Sequence, residues 1–155
     1  MSLCLTCGLC CDGTMFENAL VTPEEASRLE GRVQLSADRT LLVQGCSALA
    51  GCKCGVYEER PEACRSFKCF LLASLEAGTM SQAEAQEGVD EVMSRRDTVA
   101  ALMGLEDPRR ALALAREQAA AGTASEELRT ALRRLKQLTL LMLAPAPSQR
   151  GSPRP

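Results

Sequence analysis

The fold of this chain depends on one stretch near its start, Cys4-Leu5-Thr6-Cys7-Gly8-Leu9-Cys10-Cys11. The chain has 155 residues, nine cysteines and no histidine, and the remaining cysteines are Cys46, Cys52, Cys54, Cys64 and Cys69. The thiolate is the metal-binding form of cysteine, and soft sulfur ligands select zinc, copper(I) or iron–sulfur clusters over magnesium or calcium. The pattern therefore predicts that a metal organises the first 69 residues.

Disulfide bonds are the alternative use of so many cysteines, as in secreted proteins. A secretory signal has a basic region followed by an apolar region, whereas the cysteine motif here begins at residue 4 with no basic residue before it. An odd number of cysteines also fits a set of metal ligands better than complete internal pairing. We therefore predict reduced thiols and a cytoplasmic location.

The composition favours a helical protein with one small irregular part. Hydrophobic residues make up 46% of the chain, and Leu and Ala supply most of them, while the chain has three Phe, one Tyr and no Trp. We predict a mainly α fold in three parts. Residues 1–70 form an irregular cysteine-rich metal-binding region with short β segments, residues 71–144 form a helical region packed on it, and residues 145–155 form a disordered tail rich in proline.

Local signals place elements in the cysteine-rich half. Thr22, Pro23 and Glu25 form a capping-box pattern that predicts a short helix to about Glu30. Apolar and β-branched residues predict β segments at 33–35, 40–44 and 54–57. A further helix is predicted from Pro61 through Cys64 and Leu75 to a stop at Gly78.

Three longer helices are predicted after residue 80. Ser81 and Glu84 make a second capping box, followed by a helix to Gly104; Asp107-Pro108 starts the next helix, which Gly122 ends. The last helix runs from near Ser125 to a point before Pro145. Its apolar stripe is expected to pack against residues 81–121, and it consists of Leu128, Leu132, Leu135, Leu138 and Met142.

Several classes of function have no sequence support. No apolar run approaches the roughly 20 residues that a membrane span requires, and the glycine-rich nucleotide-binding patterns are missing. Residues 124–155 hold six basic and two acidic residues, but no aromatic residues are interleaved with them to stack on bases. We therefore expect no membrane or nucleic-acid partner, and we predict a homodimer or protein contact through the C-terminal helices.

The cysteine spacing leaves the kind of metal open. Cys4, Cys7 and Cys10 fit the C-x2-C-x2-C run of bacterial ferredoxins, in which a further ligand comes from elsewhere, and this favours an iron–sulfur cluster. Zinc is the alternative, because structural zinc sites commonly use four cysteines. The adjacent side chains of Cys10 and Cys11 diverge, so they would more easily serve two metals, or one metal and one structural thiol. Eight ligands in two four-sulfur sites would leave one cysteine spare.

Residues 4–69 resemble the YkgJ-type cysteine-cluster family, which is described as a zinc- or iron-chelating domain, and the cluster is also similar to that of flagellin lysine N-methylases. The resemblance rests on the opening motif, on Cys46-x2-Leu49, and on Cys54-Gly55-Val56-Tyr57-x2-Arg60-Pro61-x2-Cys64-Arg65-x-Phe67-x-Cys69. Ser47 departs from the family, in which proline often follows the cysteine, and Cys52 is extra, so the choice among Cys46, Cys52 and Cys54 stays open. The ligands that the resemblance implies are Cys4, Cys7, Cys10, Cys11, Cys46, Cys54, Cys64 and Cys69.

Three further residues are expected at the metal. Arg60 and Arg65 can donate hydrogen bonds to thiolates and offset their negative charge, while Tyr57, with Phe67, shields the site from water. The predicted function is metal binding with a structural or redox role. The alternatives are an enzyme that uses the cluster for methyl transfer or redox chemistry, and a thiolate metal store or chaperone.

Overall fold

The computed structural model describes residues 3–144, which form seven α-helices and four short strands. The predicted fold class, mainly α with short strands in the cysteine-rich half, is confirmed. The predicted disordered tail, residues 145–155, lies outside the described residues. The helices are α1 Cys4–Cys7, α2 Pro23–Arg28, α3 Glu62–Ser66, α4 Phe70–Glu76, α5 Gln82–Met103, α6 Pro108–Ala120 and α7 Glu126–Met142, and the strands are β1 Asn18–Leu20, β2 Leu41–Val43, β3 Leu49–Ala50 and β4 Lys53–Cys54.

The predicted helix starts are confirmed by their caps. Thr22 and Glu25 form a complete capping box at α2, as Ser81 and Glu84 do at α5. The Asp107 side chain accepts a hydrogen bond at the start of α6, and Ser125 caps α7. These side chains satisfy backbone N–H groups that the first turn of a helix leaves without partners. The helix α2 ends at Arg28, two residues earlier than predicted.

The predicted continuous helix from Pro61 through Leu75 is wrong. The chain forms α3 and then α4, and Phe67 between them is extended, with φ −71° and ψ 127°. Cys69 caps α4, and its Sγ accepts a hydrogen bond from the backbone N–H of Leu72 at 3.5 Å. That N–H would otherwise bond to a backbone carbonyl one turn earlier, so the local bond to sulfur competes with helix continuation.

The β segments were predicted only in part. The strand β2 lies within the predicted segment 40–44 and pairs antiparallel with β1. Neither β1 nor the short helix α1 was predicted. Residues 33–35 form no strand, and Leu35 makes only an isolated bridge to Leu42. The strand predicted at 54–57 is also wrong, because β4 ends at Cys54 in a hairpin with β3 and residues 57–59 form a 3-10 turn. Gly55 N–H donates to the carbonyl of Ala48 at 2.7 Å and closes that hairpin.

The buried side chains form two separate hydrophobic cores. The main core lies among α4, α5, α6 and α7, and it also takes in Leu3, Leu9 and Met15 from the start of the chain. The second core is much smaller and lies wholly in the cysteine-rich half. Its buried members are Leu29, Val33, Leu42, Cys46 and Val56. Residues near the N-terminus are therefore anchored to the helices, while residues of the strands and α2 depend on the second core.

The apolar stripe of α7 packs as predicted. Leu128, Leu135 and Met142 are buried in the main core, and α7 contacts both α5 and α6. Leu140 and Leu141, on the other side of the same helix, are 54% and 66% exposed. Within residues 3–144, no helix is both long enough and apolar enough to span a bilayer.

Replacement of Leu135 by Asp should destabilise the helical region strongly. Leu135 is 3% exposed, and loss of a buried leucine side chain alone typically costs about 2 to 5 kcal/mol. A buried carboxylate adds a desolvation cost. The matched control is Leu141→Asp, which introduces the same charge at an exposed position of the same helix. Denaturant unfolding should show a large loss for the first variant and little for the second, and equal effects would contradict the packing described.

Candidate metal centre

The nine cysteines are contributed by seven segments of the cysteine-rich half. Cys4 and Cys7 lie on α1, and Cys10 and Cys11 lie on the turn that follows it. Cys46 comes after β2, Cys52 lies in the turn between β3 and β4, Cys54 ends β4, Cys64 lies on α3 and Cys69 caps α4. All nine are free thiols. The fold brings these cysteines, which are far apart in the sequence, to one region.

A glycine sets the path of the opening motif. Gly8 ends α1 in the left-handed region with φ +70°, a conformation that glycine adopts without steric cost. The N–H groups of Cys11 and Asp12 both donate to the carbonyl of Gly8 at 2.9 Å. A Cβ at residue 8 would lie 3.4 Å from the Cα of Cys52. The tight turn therefore lets Cys10 and Cys11 follow α1 directly, with Cys52 packed beside Gly8.

One set of thiols gathers around α1 and the start of α4. Burial raises the pKa of Cys7 to about 12, and the neighbouring Cys69 and Cys4 add to the rise. Burial also raises the pKa of Cys10, with further contributions from Cys7, Cys69, Cys11 and Cys4. Cys7, Cys10 and Cys69 all pack against the main core. These effects show that Cys4, Cys7, Cys10 and Cys69 are electrostatic neighbours.

A second set of thiols gathers around the smaller core. Burial raises the pKa of Cys11 to about 12, and Cys54, Cys64 and Cys46 add to the rise in that order. The pKa of Cys64 is raised by burial and then by Cys46 and Cys54. Cys11, Cys46 and Cys54 belong to or pack against the second core. The adjacent residues Cys10 and Cys11 therefore lie in different sets.

The two sets border a common cavity of about 100 Å³. Cys46 is the one cysteine that does not line it, whereas Cys52 does. Tyr57 and Phe67 line the cavity, and the ring of Phe67 meets that of Phe16 edge to face at 4.8 Å. Most of the remaining wall consists of leucines and other apolar groups. Such surroundings limit the access of water to the thiols.

The donor chemistry of the two sets of thiols fits a soft metal. Across residues 3–144, no three Cys, Asp or Glu side chains are grouped closely enough to hold a metal as they lie. Thiols with raised pKa values are protonated at neutral pH, and a metal must displace those protons to bind. Binding of a metal at either set would therefore release protons.

The chain matches the CxxCxxCC family, described as "Putative zinc- or iron-chelating domain", over residues 3–92. The chain belongs to this family. The matched CxxCxxCC domain contains all nine cysteines and ends within α5, and it supports metal binding by the cysteine cluster. Comparisons with curated proteins and with solved structures gave no match.

The two arginines predicted near the metal, Arg60 and Arg65, have different partners in the CxxCxxCC domain. The Arg60 guanidinium stacks over the Tyr57 ring at 3.6 Å, and its Nε donates to the Tyr57 carbonyl at 2.8 Å. Its charge counteracts the rise in the pKa of Cys64. Arg65 pairs instead with Glu62 at 3.2 Å and is 43% exposed. Arg60 is thus near Cys64 of the second set, whereas Arg65 pairs with the carboxylate of Glu62.

The sequence-based predictions did not include the residues that hold the cysteine-bearing segments in place. Glu25, recognised only as part of a helix cap, is buried and accepts a hydrogen bond from the N–H of Glu62 at 2.8 Å, which ties α2 to the helix that carries Cys64. Asp12 is buried beside the opening motif and pairs with Arg96 at 2.6 Å. The sequence shows an acidic residue directly after the cysteine pair, but it does not reveal the partner of that residue, because Arg96 lies 84 positions further along the chain.

The metal-free protein should lose stability in alkaline solution. Cysteine in an unfolded chain has a pKa near 9.0, whereas burial against the main core raises the pKa of Cys7 to about 12 in the folded protein and also raises that of Cys10. As the pH rises from about 9 to about 12, the unfolded state loses these protons first, so the free energy of unfolding falls. Denaturant unfolding at about pH 8 and about pH 10 measures the change. Cys7→Ser should reduce the fall, and a pH dependence equal to that of the wild type in this variant would contradict the burial of Cys7.

Proposed function

We propose that the protein binds metal at two four-thiolate sites, one in each set of cysteines. The first site uses Cys4, Cys7, Cys10 and Cys69, and the second uses Cys11, Cys46, Cys54 and Cys64. The observation that carries this proposal is the division of Cys10 and Cys11 between two groups of neighbouring thiols. Cys52 remains outside both proposed ligand sets.

The ligand count supports closed sites. Four protein ligands complete the tetrahedral coordination of structural zinc, and four cysteines hold the common iron–sulfur clusters. Catalytic zinc sites instead keep one position for water or substrate. We therefore propose that the metals stabilise the cysteine-rich half or carry electrons, which is the role that the sequence predicted.

The first site has the features that favour an iron–sulfur cluster. Cys4, Cys7 and Cys10 form a triplet at x2 spacing, and Cys69 supplies a remote fourth thiol. Bacterial ferredoxin motifs show the same division between a local triplet and a distant ligand. The apolar cavity wall further suits a cluster, because solvent exposure and nearby hydrogen bonds set its reduction potential. Zinc at both sites is the alternative.

Arg60 and Tyr57 have a supporting part in the second site. An ion bound by four thiolates has net negative charge, and the Arg60 guanidinium next to Cys64 offsets part of it. The stacking on Tyr57 holds the guanidinium in place. Arg65 would have to leave Glu62 to contribute in the same way.

Exchange of metal with a partner is less well supported than retention. Delivery requires exposed thiols that an acceptor can reach, and of the nine cysteines only Cys4 is exposed. A store or chaperone would release its metal to a chelator without unfolding, whereas a structural site would lose metal and fold together. Reduced thiols are needed in either case, consistent with the cytoplasmic location predicted from the sequence.

Metal and acid-labile sulfide analysis of protein purified without oxygen tests the proposal. A brown protein with labile sulfide and iron would identify iron–sulfur clusters. A colourless protein with about two zinc ions per chain would identify two zinc sites. Protein that retains neither metal at more than trace level, and that binds neither when its thiols are reduced, would reject the proposal.

A further inference from the structure

The turn that carries Cys10 and Cys11 is held from the helical half of the molecule. Asp12 follows the pair directly and is 6% exposed. Its Oδ1 accepts from the N–H of Thr14 at 2.8 Å, and its Oδ2 accepts from Nη1 of Arg96 on α5 at 2.6 Å. The Arg96 side chain is itself 15% exposed. Water and salt screen so little exposed an ion pair only weakly, and removal of Arg96 would leave the charge of Asp12 buried and unpaired.

A second arginine holds the next two residues. Arg116 on α6 donates from Nη1 to the carbonyl of Gly13 at 2.8 Å and from Nη2 to the carbonyl of Thr14 at 3.1 Å. Nη1 of Arg116 also lies 3.8 Å from Oε1 of Glu17. Two helices thus contribute one guanidinium each to three consecutive residues, and both guanidiniums make directional bonds that lysine could not reproduce.

The loop, residues 12–14, connects the two sets of thiols to the helices. Cys10 packs against the main core and Cys11 against the second core, so the direction of the chain just after them decides which way each side chain faces.

We propose that Arg96 and Arg116 are positioning residues for the metal sites: they fix the 12–14 loop and, through it, the divergence of Cys10 and Cys11. The inference rests on the proposed function. Both arginines lie beyond residues 3–92, the part that matches the family. The C-terminal helices therefore belong to the metal centre of this chain as well as to its main core.

The test compares Arg96→Ala with Arg95→Ala in the full chain. Arg95 is the adjacent residue of α5, and it is 42% exposed and pairs only with Glu91 among its recorded partners. Cobalt(II) is the probe, and its absorption reports the number and geometry of bound thiolates. We expect Arg96→Ala to weaken cobalt binding by about tenfold or more, in the range typical of residues that orient metal ligands, and to change the spectrum. Arg95→Ala should do neither.

A second readout separates positioning from general stability. An arginine that only stabilises the fold lowers the unfolding free energy of metal-free and loaded protein equally, whereas a positioning residue reduces the stabilisation gained from metal. If Arg96→Ala does not fold, Arg96→Lys and Arg116→Lys retain the charge and are compared with Arg110→Lys, an exposed position of α6. Unchanged cobalt affinity and spectrum in the folded variants would reject the inference. A wild-type chain that binds neither cobalt nor zinc would instead reject the proposed function, and the inference with it.

Discussion

Removal of metal should unfold residues 17–66 before it disturbs α5, α6 and α7. This segment depends on the second core, in which five side chains are buried, and on the thiols of the second set. A core of that size offers little stability alone, and small domains commonly use metals to compensate. Free energy of metal binding becomes free energy of folding when the site forms only in the folded chain.

Hydrogen–deuterium exchange with and without a strong chelator measures this effect. Amides of β1, β2 and α3 should lose most of their protection, while those of α5 should change little. Residues 3–15 should lose less protection than residues 17–66, because Leu3, Leu9 and Met15 belong to the main core. The sequence alone predicted that residues 1–69 would all lose order without metal. Because the first residues pack in the main core, the structure limits the expected loss to residues 17–66. Equal protection of residues 17–66 with and without metal would contradict it.

Replacement of paired cysteines should reveal which thiols share a metal. Cys7→Ser should abolish the first site and Cys64→Ser the second, because serine is a far poorer ligand for soft metals. Each variant should then retain about half of the wild-type metal, since four ligands are required for each site. Cys52→Ser, the matched control, should retain nearly all of it.

Double replacements test directly whether two cysteines belong to the same metal site. Cys7→Ser combined with Cys69→Ser should lose no more metal than either alone, because both remove one site. Cys7→Ser combined with Cys64→Ser should lose all of it, and so should the adjacent pair Cys10→Ser and Cys11→Ser. Metal content of the folded variants by mass spectrometry distinguishes these patterns. A full loss in the Cys7 and Cys69 pair would show that the assignment to two sets is incorrect.

The local features of the fold were accessible from the sequence because they depend on residues close together in the chain. The capping residues Thr22 and Ser81 and the apolar stripe of α7 each predicted a helix that the structure confirms. The family resemblance was also correct, since it depends on cysteine spacing. Both kinds of signal can be recognised along the sequence without knowledge of which distant segments come into contact.

Features that depend on contacts between distant segments could not be predicted. The strand β1 exists because β2 pairs with it, and three residues with one Asn among them carry no strong preference of their own. The break between α3 and α4 is a local feature that was also missed, because the cap at the start of α4 is the sulfur of Cys69 and cysteine is not one of the residues that usually cap helices. The two cysteine sets likewise combine thiols from distant segments, most of which pack against different cores, and the spacing of the cysteines alone does not determine this.

The placement of Cys10 and Cys11 in separate sets has a consequence for how the two proposed sites bind metal together. Consecutive residues share a rigid, planar peptide unit, so an ion that fixes one of them restricts the other as well. The conformational entropy lost at the first loading step is then not lost again at the second. Loading should consequently be cooperative, and chains that hold a single metal should be scarce at every stage of a titration.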